Sequence, residues 1–157
     1  MEEVVIDIVR AREENVHEMS VVIQAALTKF ILPECSEQGA QRLLGATSPS
    51  AILSEIRDGT VYFLAKSNDK IVGVVGLRSN CHLYHLFVLP DVQKGGIGKS
   101  LWRFVHDFAV NELCATCITV NASMNAVKFY RQLGFEPVSE YRIRHGIKDI
   151  PMKFTLS

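Results

Sequence analysis

The sequence predicts an α/β fold, α+β in finer terms: one mixed, mostly antiparallel sheet of about seven strands with helices on both faces. Three observations point there. Short apolar runs of strand length alternate with longer segments whose apolar residues recur every three or four positions. The turn pair Asn68-Asp69 separates two such runs closely enough for an antiparallel hairpin. The run Leu86-Phe87-Val88-Leu89 stops at Pro90, passes Gln93-Lys94-Gly95-Gly96-Ile97-Gly98-Lys99, and enters an amphipathic helix.

In chain order, the β-branched segment Val4 to Val9 suits a first strand. Val16, Met19, Ile23, Ala26, Leu27 and Phe30 then trace one helical stripe, closed by Pro33. Residues 36 to 57 are more polar and interrupted by Pro49, which predicts a short helix, a loop, and a second short helix around Ser50 to Arg57. Asp58-Gly59 is a turn, Val61 to Lys66 and Ile71 to Leu77 form the hairpin, and His82 to Val88 is the strand beside it. After the glycines, Ile97, Leu101, Phe104, Val105 and Phe108 set a helix facing a sheet. Thr116 to Val120 is a compact strand. Ala126, Phe129, Tyr130 and Leu133 form the stripe of a further helix, ended by Gly134. One of Asn121, Ser123 and Asn125 is expected to cap it. Phe135 to Tyr141 and Ile150 to Leu156 read as two final strands.

With 157 residues, 48% of them apolar, the chain suits a single domain spanning 1–157 with a sizeable core. Seventeen basic residues balance seventeen acidic ones, so no global field favours nucleic acid or an anionic membrane, and any anion must be held locally. The acidic start Met1-Glu2-Glu3 has no basic head of a signal peptide, and no apolar run reaches spanning length. A soluble, cytoplasmic protein is expected. Cys35, Cys81, Cys114 and Cys117 are too sparse for a disulfide scaffold and read as reduced thiols. In Cys81-His82-x-x-His85, strand alternation separates the ligands and no second pair follows, so no metal is assigned.

Strand, glycine turn and helix in that order make an anion site. Glycines let the backbone approach a phosphate, and the helix start offers N–H groups and a positive dipole end. A P-loop requires a glycine where Gln93 stands, and the preceding antiparallel meander disfavours both P-loop and dinucleotide folds.

Gln93-x-x-Gly96-x-Gly98 after Leu86-Phe87-Val88 resembles the acetyl-CoA-binding signature of the GCN5-related N-acetyltransferases. The stretch Val120-Asn121-Ala122-Ser123-x-Asn125-Ala126-x-x-Phe129-Tyr130-x-x-x-Gly134-Phe135 is similar to that family's second motif. The resemblance implies an acyl-CoA N-acyltransferase fold. It further implies a pantetheine arm lying between the strands His82–Val88 and Thr116–Val120, held by backbone groups of Leu86, Phe87 and Val88, with Val88 N–H polarising the thioester carbonyl. Main-chain amides from Lys94 through Gly95, Gly96, Ile97 and Gly98 to Lys99 are implied to cradle the pyrophosphate. Lys94, Lys99 or Arg103 would add charge there, although the lysines equally suit a solvated helix start. Asn125, and Asn121 with it, is implied to touch the coenzyme.

The same resemblance implies acetyl transfer to a primary amine, by direct attack in a ternary complex. A lysine-like amine of pKa about 10.4 costs about 4–5 kcal/mol to neutralise at pH 7, so a base or a desolvating pocket is needed. Tyr130 stands where family members often carry the tyrosine that protonates the thiolate; packing beside Phe129 is its alternative. Where members often have a strand glutamate, this chain has His82 and Tyr84. His82 is the candidate base, with Tyr84, another residue or water as alternatives. By period two, His82, Tyr84, Leu86 and Val88 share one strand face and Cys81, Leu83, His85 and Phe87 the other, so the two histidines are expected to point apart. The absent glutamate leaves open a non-catalytic acyl-CoA sensor. The segment Thr28 to Ala46, with Phe30, Ile31, Leu32 and Glu34, is implied to wall the acceptor side. The acceptor itself, a small-molecule amine or a protein amine, is not specified, and exposed sheet edges leave a homodimer open.

Overall fold

A computed structural model describes residues 5–156, apart from the side chains of Gln93 and Lys94. Val4, the expected start of the first strand, lies outside them. The elements are β1 (Asp7–Arg10), α1 (Val16–Phe30), α2 (Glu37–Ala46), α3 (Pro49–Arg57), β2 (Val61–Ser67), β3 (Lys70–Leu77), β4 (His82–Val88), α4 (Ile97–Leu113), β5 (Cys117–Ser123), α5 (Val127–Leu133), β6 (Glu136–Pro137), β7 (Arg142–Arg144) and β8 (Ile147–Thr155). The eight strands form one sheet in the order β1-β2-β3-β4-β5-β8-β6, with β7 also paired to β8. The pair β4–β5 runs parallel and the other pairs run antiparallel.

Local chemistry accounts for the connections. Ser48 caps α3 by accepting from the Ala51 N–H, with Pro49 in its first turn, where a missing N–H costs nothing. Asn68 and Asp69 both adopt left-handed backbone, the geometry that suits a two-residue turn to the twist of β2 and β3.

The sheet separates two cores. On one face, Met19, Ile23 and Leu27 of α1 and Ile52 of α3 pack on Tyr62, Leu64, Ile71 and Val74. On the other, Leu101, Trp102 and Val105 of α4 and Tyr130 of α5 pack on Phe63, Val75, Leu83, Val88, Ile118 and Val120. Helices therefore cover both faces, as the apolar periodicity predicts.

Three expectations at the C-terminal end change. The strand expected over Phe135 to Tyr141 shrinks to Glu136–Pro137 at the sheet edge, because Pro137 has no N–H for a ladder. A short strand, Arg142–Arg144, takes part of its place, turning at His145-Gly146, both with positive φ, into a final strand that begins at Ile147 instead of Ile150. No side chain caps α5: Asn125 instead donates from Nδ2 to the Phe30 carbonyl at 2.9 Å, while Ser123 Oγ donates to its Oδ1 at 2.7 Å. Asn125 thus ties the end of β5 to the last turn of α1.

Candidate active site

Pairing between β4 and β5 consists of His82↔Thr119 and Leu83↔Val120 and goes no further, although both strands continue. Beyond that point β5 follows β8 as far as Ser123↔Asp149, and β4 follows β3 as far as Val88↔Gly73. The two strands part, and a slot opens in the middle of the sheet.

A bulge sits at the fork. Gly76 pairs with His85 and Leu77 with Leu83, so Tyr84 is an extra residue on β4. One extra residue resets the alternation. Leu83 joins Leu86 and Val88 on the α4 side. His82 and His85 consequently share the α1 side, which corrects the expectation that they point apart. His82 Nδ1 lies 2.8 Å from Thr119 Oγ1, and His85 Nδ1 lies 3.0 Å from the Tyr62 hydroxyl.

A cleft of about 330 Å³ runs from the slot to the start of α4, lined by Leu86, Phe87, Val88, Gly96, Gly98, Lys99, Asn125, Phe129 and Tyr130. Gly96 precedes α4 at φ +72, a backbone that L side chains adopt at a cost, and the first N–H groups of α4 have no intrahelical acceptor. A Cβ on Gly98 would stand 3.4 Å from Phe129 Cζ and 3.8 Å from Val88 Cγ2, so its absence keeps the cleft wall open. A narrow slot between parted strands, ending at a glycine bend and a helix start, fits an extended arm that finishes in phosphates. Of the sequence-predicted cofactor residues, Leu86, Phe87, Val88, Gly96, Gly98 and Lys99 line this cleft, whereas Gly95 is not among its lining residues and Ile97 packs into the core beneath α4; the side chains of Gln93 and Lys94 lie outside the described part. Asn121 lies apart, against the second cavity.

That second cavity, about 230 Å³, lies on the α1 side of the fork. Leu27, Ile31, Leu43, Ala46 and Phe87 form its apolar wall, and His82, Tyr84, His85, Asn121 and Asp149 its polar one. Of the segment expected here, Ile31 and the α2 residues line this cavity and Phe30 lines the cleft, while Leu32 and Glu34 line neither. Tyr130, Ile31, Leu86, Phe87, Ser123 and Ala126 line both spaces, so the two adjoin along these residues, Tyr130 among them.

Burial and charge set the protonation states. Burial, then the nearby Arg78, Arg142 and Arg144, push the His82 pKa below its ordinary value, and Asp149 opposes them more weakly. His82 is therefore neutral at pH 7 and able to accept a proton. Burial pushes His85 down to about 3. Burial raises Tyr130 well above the ordinary phenol value, so it carries its proton.

Tyr62, Arg78 and Glu55 escaped the sequence reading, as did the contacts of Tyr84 and His85. His85 is buried and bonded to Tyr62; Tyr84 stacks on His85 at 4.0 Å between centroids and lies under the Arg78 guanidinium at 3.7 Å. Arg78 in turn forks onto both carboxylate oxygens of Glu55 at 2.9 and 3.0 Å. Glu55 is 23 residues from Arg78 in sequence, and no local signal joins them. Among the described residues, no group of three metal-ligating side chains occurs.

Comparisons with known proteins agree with this fold. The model of the acetyltransferase (GNAT) domain family matches residues 31–156. Human N-acetyltransferase 8 is 29% identical over 93 residues, covering 52% of this chain and 41% of that protein. The probable N-acetyltransferase camello of Xenopus laevis is 33% identical over 87 residues, covering 50% and 40%. The chain thus spans less than half the length of these curated relatives. Among solved structures, a GCN5-related N-acetyltransferase from Rhodopseudomonas palustris superposes with a TM-score of 0.84 at 19% identity over 99% of both chains. A PaiA N-acetyltransferase from Thermoplasma acidophilum in complex with coenzyme A does so at 0.82 and 16% identity, over 97% of this chain and 99% of that one. No described helix is long and apolar enough to cross a membrane.

Proposed function

Because this chain belongs to the GNAT acetyltransferase family, we propose that it transfers the acetyl group of acetyl-CoA to a primary amine by direct attack in a ternary complex. The observation that carries this reading is that the two cavities adjoin along residues that include Tyr130, with His82 in the wall of one and the α4 start at the end of the other.

Bound acetyl-CoA supplies a thioester with an electrophilic carbonyl carbon. The residues that would hold it are Leu86 to Val88 along the slot and the backbone from Lys94 to Lys99 at the bend, with Lys99 and Asn125 on the cleft wall. His82, with Nδ1 engaged by Thr119, takes a proton from the incoming ammonium through Nε2, directly or through water. The amine nitrogen then bonds the acetyl carbon and the carbon–sulfur bond breaks. Tyr130, whose phenol is protonated at pH 7, gives its proton to the departing sulfur and regains one from the acylated nitrogen, directly or through water, so that the amide leaves neutral. Apolar walls exclude water, which limits loss of the acetyl group to hydrolysis.

A thiol-release assay with acetyl-CoA and a panel of primary amines tests this. Release that depends on an amine, with the N-acetyl product identified by mass, supports the transferase. Tight acetyl-CoA binding without amine-dependent release would reduce the protein to a sensor.

A further inference from the structure

The wall of the acceptor-side cavity opposite α1 is the β7–β8 hairpin, which contributes Ile147, Lys148 and Asp149. Its position is fixed. The Ser36 N–H donates to the Gly146 carbonyl at 3.2 Å, and a Cβ on Gly39 would stand 2.6 Å from that carbonyl oxygen, so the turn rests directly on the first turn of α2.

The hairpin carries unbalanced charge. Asp149, 8% exposed, accepts from Arg142 Nε at 2.8 Å and has Arg144 Nη2 at 3.8 Å. Lys148 adds an ammonium, seated 4.1 Å from the Tyr141 ring centroid. Two guanidiniums thus answer one carboxylate, and Lys148 adds a third cation to the hairpin; of the three, Lys148 lines the cavity, while Arg142 and Arg144 stand near enough to His82 to favour its neutral form. Among the described lining residues, Asp149 is the one carboxylate, and it is already paired. The opposite wall, from Leu27, Ile31, Leu43, Ala46 and Phe87, is apolar. At about 230 Å³ the cavity falls below the roughly 300–1,000 Å³ of drug-sized sites.

From this arrangement we propose that the acceptor is a small primary amine bearing both an apolar group and an anionic group, an apolar α-amino acid being the simplest example. The apolar part lies against α1, α2 and Phe87, and the anion faces the Arg142–Lys148 hairpin. A second ammonium meets no unpaired carboxylate in this wall, so polyamines are poor acceptors. The proposal rests on the transferase reading and specifies the substrate class of the same site.

The test uses acetyl-CoA with four probes: L-phenylalanine, L-phenylalaninamide, L-alanine and spermidine. Phenylalaninamide keeps the body and loses the negative charge, and its amine is more readily neutral, which biases the comparison against the proposal. The expected kcat/KM for phenylalanine exceeds that of each other probe by at least about tenfold. Lys148→Glu is expected to erase most of the preference for phenylalanine over its amide, and a preference that persists in the variant overturns the placement of the anion at this hairpin. An amide or spermidine turned over better than phenylalanine overturns the anionic part, and alanine equal to phenylalanine overturns the apolar part; either leaves the transferase standing. No thiol release with any probe, alongside calorimetric binding of acetyl-CoA, removes the transferase reading and this proposal with it.

Discussion

His82 Nδ1 and Thr119 Oγ1 stand 2.8 Å apart across the parallel step His82↔Thr119, one of the last two pairs before β4 and β5 diverge. The bond fastens the fork of the sheet and orients the imidazole in the cavity on its α1 side.

Removing the Thr119 hydroxyl leaves that ring unanchored. Thr119→Val is expected to lower kcat/KM for the amine about tenfold, with the acetyl-CoA KM nearly unchanged, and Thr119→Ser to restore most of the loss. Steady-state kinetics on the three proteins, with matched melting temperatures, separate positioning from general destabilisation.

The acid limb of kcat/KM for the amine should lie below the ordinary histidine value of about 6.5, since burial and the three arginines favour neutral His82. His82→Gln is expected to abolish that limb and lower the rate by about a hundredfold. A limb that persists unaltered in the variant assigns the proton acceptor elsewhere.

Tyr130→Phe keeps the buried ring against Phe129 and Phe135 but removes the proton. Turnover is expected to fall by about ten- to a hundredfold at nearly constant acetyl-CoA affinity. Single-turnover rates together with calorimetry of coenzyme A binding decide the matter, and full activity would assign Tyr130 to packing alone.

Gly98→Ala places a methyl 3.4 Å from Phe129 Cζ, an ordinary contact at the edge of the cleft. The free protein should melt near the wild-type temperature, while coenzyme A binds about tenfold or more weakly by calorimetry. Unchanged affinity would move the phosphates away from this bend.

His85 contributes a pH dependence to stability. Its folded pKa is pushed down to about 3, whereas the unfolded chain binds the proton near about 6.5. Between these values the unfolded state holds more protons, so the contribution is complete above about pH 6.5 and is lost progressively as pH falls. His85→Leu should flatten the fall in melting temperature between about pH 6.5 and 5, a range above the carboxylate titrations.

The parts of the fold legible in the sequence are those decided by near neighbours. The α1 stripe, the Asn68-Asp69 hairpin, the boundaries of β4 and the start of α4 after Gly96 all follow from spacing or from residues within one turn of one another. The cofactor-side residues share that locality: the glycine bend is contiguous, and Asn125, Phe129 and Tyr130 lie on one short segment after β5.

The acceptor side depends on pairing between distant segments. Strict alternation along β4 sets His82 and His85 on opposite faces, yet the extra residue at Tyr84 exists because Gly76 and Leu77 of β3 pair with His85 and Leu83, and only the assembled sheet contains that step. The Arg142–Lys148 hairpin likewise reaches the cavity because Gly146 docks on Gly39, 107 residues earlier in the chain. Composition and period determined the layers and the glycine bend, and two contiguous motifs carried the resemblance that implies the coenzyme chemistry, because each is encoded within a few residues. Tertiary structure alone decided which side His82 faces and which charged residues line the second cavity, because strand register and loop docking are set by partners that lie far away in sequence.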